Sequence, residues 1–293
     1  MRAINGWLIV GAFGVGAFQL FVLPVVLLPR AAAWGWTLAG IALLTTSFWS
    51  LIHEAIHGTL LAVRRQNDNC GRALAILYGS PFAMLKAGHL LHHRYSRTRE
   101  RTEIYDPATT GWMGAAPGYY LRLFGGLYLL EVVALPLALL PADAVRRLGQ
   151  RLEAPDSVAG LLFERLAQAK VLGQFRTDAL AIVVLYTAAF LAYGEHAWML
   201  VAALGARALI ISLSDNAYHY GTDLAAPLDA MNLRMPRVME RLALSFNLHG
   251  VHHRHPGLHW YELRDAFHAE GGRYDLGWFP AVARQLRGPV ELP

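Results

Sequence analysis

The sequence predicts an all-α integral membrane protein, with about four transmembrane helices and a cytoplasmic helical cap holding a di-metal histidine site. Three observations predict it. Hydrophobic residues make up 55% of the 293, charged residues only 16%, and mean hydropathy is +0.32, where a water-soluble domain carries about 25% charged residues. The apolar residues fall into long runs with few breaks. Histidine, finally, recurs in three boxes at helical spacing: His53 and His57; His89, His92 and His93; His249, His252 and His253.

The first run, 6–28, is flanked by Arg2 and Arg30 and contains Pro24. A signal-peptide core spans about 7 to 15 residues, so this longer run reads as the first membrane helix. Its Gly11, Gly14 and Gly16 follow no strand and read as helix-packing positions, not as a nucleotide loop. The second run, 33–52, leads without a break into His53, which sets the first box at the end of a membrane helix. Residues 72–88 are apolar but short and contain Pro81 and Lys86; they read as interfacial. Residues 118–140 hold Gly125, Gly126, Glu131 and Pro136, which suits an interfacial or re-entrant segment better than a clean span. Two further spans, 178–193 and 197–213, are joined only by Gly194, Glu195 and His196, a tight hairpin.

Parity supports this layout. If the boxes share one site, an even number of crossings separates each from the next. Lys or Arg occupies eight positions in 64–106, six in 144–176 and eight in 214–287, against Arg30 alone on the other side. By the positive-inside rule those segments, and the boxes with them, face the cytoplasm. Nothing divides the chain, and 1–293 reads as a single domain in what the Arg-rich composition suggests is a bacterial inner membrane. The net charge of +5 is spread between apolar runs rather than gathered into one patch, which suits lipid headgroups and gives no nucleic-acid footprint. The lone Cys70 can form no intramolecular disulfide.

Residues three and four apart share a helix face, so each box can aim two or three imidazoles at one point. Eight imidazoles exceed what one ion holds, so two metals are expected, the outer pair of an H-x-x-H-H box chelating one while the middle residue reaches the other. His219, in Asp215-Asn216-Ala217-Tyr218-His219 just after the hairpin, is the ninth candidate ligand. The first box also spells His53-Glu54-x-x-His57, the signature of an intramembrane zinc protease with Glu54 as general base. A protease zinc needs three protein ligands and would leave the other histidines unused. Ligation by nitrogen without a bridging carboxylate suits redox-active iron that binds O2. His196, His255, His259 and His268 fall off the chelating faces.

The three boxes, in this order and spacing, resemble those of the membrane fatty acid desaturase superfamily of non-haem di-iron enzymes. Asn247-Leu248-His249-Gly250-Val251-His252-His253-Arg254-His255-Pro256, followed by Trp260-Tyr261-Glu262-Leu263, is similar to the third-box region of acyl-lipid members. His53-Glu54-Ala55-Ile56-His57-Gly58 resembles their first box and that of carotenoid ketolases. The resemblance implies two Fe ions, an external electron donor of ferredoxin or rubredoxin type, O2 as co-substrate, and removal of hydrogen from a fatty acyl chain. Hydroxylase and carotenoid ketolase chemistry are the alternatives on the same scaffold. It also carries ligand roles to the eight box histidines and His219. Where animal acyl-CoA members have Asn, this chain has Asp215, so Asp215 and Asn216 are candidates for groups just outside the ligands. Arg94, Arg97, Arg99 and Arg101 form a possible landing patch for an acidic donor, with headgroup anchoring as the plainer reading.

Overall fold

The computed structural model describes residues 2–293, most of them helical. Helix α1 (Arg2–Ala17) continues into a π-helical stretch, Phe18–Leu27, that contains Pro24. Proline has no N–H to donate and its ring crowds the carbonyl one turn back, so a wider turn keeps the segment helical. Helices α2 (Thr37–Leu43) and α3 (Thr45–His57) meet at a 45° bend at Leu44, where the Thr45 hydroxyl donates to the Ala42 carbonyl at 2.6 Å. α3 stops immediately after His57 because Gly58 turns left-handed, φ 85°. The first box therefore occupies the last turns of a helix.

Helices α4 (Arg64–Tyr78) and α5 (Phe82–Tyr95) meet at 105°. After them come α6 (Trp112–Leu121), α7 (Leu127–Val133), α8 (Ala142–Leu152) and α9 (Val158–Leu166). The apolar stretch of 49 residues that follows is α10 (Ala169–Tyr193) and α11 (Ala197–Ala217), separated at Gly194, φ 52°. Arg207 Nη1 lies 3.4 Å from Tyr186 Oη. In one straight helix those residues would stand about 32 Å apart, so α10 and α11 fold back on each other as a hairpin.

The segment Trp112–Leu139 is long and apolar enough to cross a bilayer, but its backbone breaks at Phe124 and Gly125, φ 118° for the glycine. Both its ends lie at the open end of the hairpin. Tyr119 Oη is 3.5 Å from Asn216 Nδ2 near the end of α11, and the carbonyls of Ala138 and Leu140 accept from Arg176 near the start of α10. Its middle reaches inward, where Tyr128 donates to the Tyr78 carbonyl at 2.9 Å.

Tyr78 ends α4 at the polar knot of the apolar region. Its carbonyl also accepts from Arg207 at 2.7 Å, the Leu77 carbonyl accepts from Tyr186 at 3.0 Å, and Ser80 donates to Glu131. The last carbonyls of a helix carry partial negative charge and have no intrahelical donor. Arg207 satisfies one of them and stands over the Tyr78 ring at 4.7 Å, which explains a guanidinium otherwise costly among apolar side chains.

Length and composition mark three stretches able to cross a membrane among the described residues, or up to five if each bent pair counts as one. Beyond α11 the chain builds a cap from α12 (Arg237–Leu242), α13 (His249–Arg254) and the helices Leu263–Ala269 and Trp278–Gln285. Most of the chain is helical, as expected, and two short strand pairs lie among the helices. Ile104–Tyr105 pairs in parallel with Val290–Glu291, and Leu233–Arg234 with Leu276–Gly277. These backbones lie outside helices, and pairing satisfies amides and carbonyls that the short helices leave open.

Candidate metal centre

Helix phase decides where each imidazole goes. Four residues turn a helix about 40° past a full circle and one residue turns it about 100°. On α5, His89 and His93 therefore point together and His92 points aside; on α13, His249 and His253 point together and His252 points aside. The fold sets these faces opposite one another with their roles exchanged. His53, His57, His89, His93 and His252 form one group, and His92, His219, His249 and His253 form a second. Within each group the candidate ligand nitrogens all lie within 4.8 Å of one another. All nine candidate histidines are brought together, in two adjoining groups.

The nitrogens face each other rather than any acceptor. Nε2 of His57 lies 2.9 Å from Nε2 of His89, that of His93 3.0 Å from that of His252, and that of His249 3.1 Å from that of His253. Two nitrogens each about 2.1 Å from one ion and at right angles around it would be about 3.0 Å apart. His53 Nε2, both nitrogens of His219, and Nδ1 of His249 and His253 are buried with no hydrogen-bond partner. With one nitrogen from each of nine imidazoles converging in two groups, protons leave facing lone pairs unmatched, whereas a metal ion in each group would take them up, so the donor set fits two ions. Burial first, then the neighbouring imidazoles, push His249, His252 and His253 well below their ordinary pKa, which keeps them neutral as ligation requires. Trp49 packs edge-on to His89 at 6.4 Å, and Phe246 lies between the two groups, 5.0 Å from His53 and 4.8 Å from His249.

The four-histidine group has carboxylates beside it as well. Glu100 Oε2 lies 2.7 Å from His92 Nδ1, and Glu100 Oε1 lies 3.8 Å from Arg122 Nη2. Burial opposes ionisation of Glu100, whereas the hydrogen bond to His92 and the nearby Arg122 guanidinium favour it. Asp215 and Asn216 line a small cavity with His92, Glu100 and His219. The Asn216 amide donates to Gln285 Oε1 at 2.8 Å, away from the imidazoles. Sequence reasoning missed Glu100. The one signal was a carboxylate eight residues beyond His92 in an arginine-rich stretch, and nothing in the spacing says that the chain turns back there.

The remaining side chains sort by contact. Glu54 Oε2 accepts from the Trp260 backbone N–H at 3.4 Å, and it joins neither histidine group. His255 pairs with Glu270 at 2.8 Å, and His259 bonds the Thr59 carbonyl at 2.7 Å. Arg97 leaves the suggested basic patch: it is buried in an ion pair with Glu103 at 3.0 Å. Arg94, Arg99 and Arg101 stay exposed.

Helices long and apolar enough to cross a membrane, with two adjoining clusters of imidazoles that could each hold a metal ion, set the class of protein to look for. The sequence profile described as fatty acid desaturase matches residues 28–280, and the chain belongs to that family. It is similar to a beta-carotene ketolase from Paracoccus sp. (strain PC1), 30% identical over 129 residues that cover 43% of this chain and 52% of that protein. The chain thus spans about half the length of the curated relative it matches. No solved structure matches it.

Proposed function

We propose that the protein is an O2-dependent di-iron enzyme that inserts a double bond into a fatty acyl chain held in the bilayer. The observation that carries this reading is the pair of all-imidazole clusters at the mouth of an apolar helix bundle. His53, His57, His89, His93 and His252 would hold one iron, and His92, His219, His249 and His253 the other. Two irons held there would activate O2, which is the oxidant an unactivated C–H bond demands, with two electrons from an external donor and two hydrogens from the substrate reducing it to water. The chain's own residues orient and shield: helix ends and cap fix the imidazoles, while Trp49 beside His89 and Phe246 between the two groups exclude water. Arg94, Arg99 and Arg101 would receive an acidic ferredoxin-like or rubredoxin-like donor.

The relative favours a second reading, in which the substrate is a carotenoid and the product a ketone. The same C–H oxidation leads to either product, and substrate placement decides between them. Expression in a desaturase-deficient bacterium under labelled O2, with mass spectrometry of all lipids and pigments, separates the two. An acyl chain short of two hydrogens and free of label is expected. A labelled keto pigment would replace the first reading with the second, and no oxidised lipid at all would sink both.

Orientation belongs to the same proposal: the clusters face the cytoplasm of a bacterial inner membrane, with 118–140 entering and returning on that side. Reporter fusions after residues 106 and 160 are expected to report cytoplasm and a fusion after 195 the far side. A far-side result at 160 would make 118–140 a true crossing.

A further inference from the structure

We infer that Glu100 is a positioning residue for the four-histidine cluster: it grips the outer nitrogen of His92, fixes which nitrogen faces the metal, and makes the two metal positions chemically unequal. The inference rests on the two-metal reading above. The outer nitrogen of His92, Nδ1, lies 2.7 Å from the Glu100 carboxyl, and with that nitrogen engaged as donor the Nε2 lone pair is left for the cluster. Nε2 points into the cluster, 3.2 Å from Nε2 of His253. An imidazole that donates to a carboxylate is a more basic and better-oriented ligand.

The contact is built into the backbone. α5 ends at Tyr95, and for Glu100 to reach back to His92 the chain must reverse at once. It does so through Arg97, whose φ of 64° is left-handed, an unfavourable conformation for a residue with a Cβ. Three interactions hold that conformation. Arg97 N–H donates to the Glu100 carbonyl at 3.1 Å, Nη2 pairs with Glu103 at 3.0 Å, and Nη2 donates to the Thr222 carbonyl at 2.9 Å. A buried arginine thus stabilises the turn that delivers Glu100. On the far side Arg122 approaches the carboxylate, and Arg122 opens the kinked stretch Arg122–Gly126 of the inward-reaching segment. Among the described residues, no hydrogen bond joins a carboxylate to any histidine of the other cluster.

The test uses the full chain purified in detergent and loaded with enriched iron, comparing wild type with Glu100→Ala and Glu100→Gln. Elemental analysis gives iron per chain, transfer to a chelator gives release rates, and Mössbauer spectra report each iron separately. In Glu100→Ala one of the two irons is expected to leave about 10–100-fold faster, the other at the wild-type rate. Gln keeps an oxygen acceptor but no charge, so Glu100→Gln is expected to retain both irons and to alter the spectrum of one. If Glu100→Ala fails to fold, Glu100→Gln decides alone. Wild-type release rates and spectra in folded variants, with two irons bound, would overturn this inference and leave the proposed function standing. A wild-type protein that binds fewer than two metals would overturn both.

Discussion

The five-histidine cluster and the four-histidine cluster sit side by side but are built from different kinds of structure. Four of the five, His53, His57, His89 and His93, come from two helices, α3 and α5, with Trp49 edge-on to His89. The other cluster takes one residue from α5, one from the loop after α11 and two from the six-residue α13, with Glu100 and Asp215 close by. Helix ends hold ligands by backbone hydrogen bonding that exists whether or not a metal is bound. A cluster gathered from a loop and a short helix depends on tertiary contacts and on the metal itself. One centre is therefore expected to be largely pre-formed, with His252 alone supplied by α13, and the other assembled.

The largest effects should come from removing one ligand on each side. His53→Ala and His249→Ala are each expected to leave the other metal in place. Each should cut activity by more than the roughly 100-fold that loss of a carboxylate partner costs. Elemental analysis checks the metal count; loss of both metals from His53→Ala alone would mean that the assembled centre cannot form without the pre-formed one.

A smaller effect concerns acid. His249, His252 and His253 have depressed folded-state pKa values against 6.5 when unfolded. The sign follows from which state takes up protons: above about pH 6.5 neither does, and as pH falls below it the unfolded chain gains protons that the folded one resists. The metal-free protein is therefore expected to lose stability from about pH 6.5 downward. Hydrogen exchange at about pH 8 and about pH 5.5 should show residues 249–254 loosening before 45–57. Simultaneous loosening of both segments would contradict the pre-formed and assembled distinction.

The smallest effect lies at the surface next to the assembled centre. Arg94→Glu with Arg101→Glu is expected to weaken an acidic donor by about 10-fold at low salt while metal content stays unchanged. The loss should shrink as ionic strength rises. Unchanged donor affinity at low salt would return these arginines to headgroup anchoring.

Periodicity and hydropathy determined much by themselves. The apolar runs and their short connections are a local property of composition, and the split of each H-x-x-H-H box between two directions is a property of 3.6 residues per turn. His53, His57, His89 and His93 were legible for that reason. Tertiary structure alone decided the rest. It exchanged the roles of the second and third boxes, turned the Asn216 amide onto Gln285 and buried Arg97 against Glu103. It brought Glu100 back to His92 through a left-handed arginine, and it put Arg207 on the buried end of α4. Each of these joins residues distant in sequence or hangs on the direction of a non-helical turn. Spacing along one helix carries no information about which other chain segment will arrive opposite it.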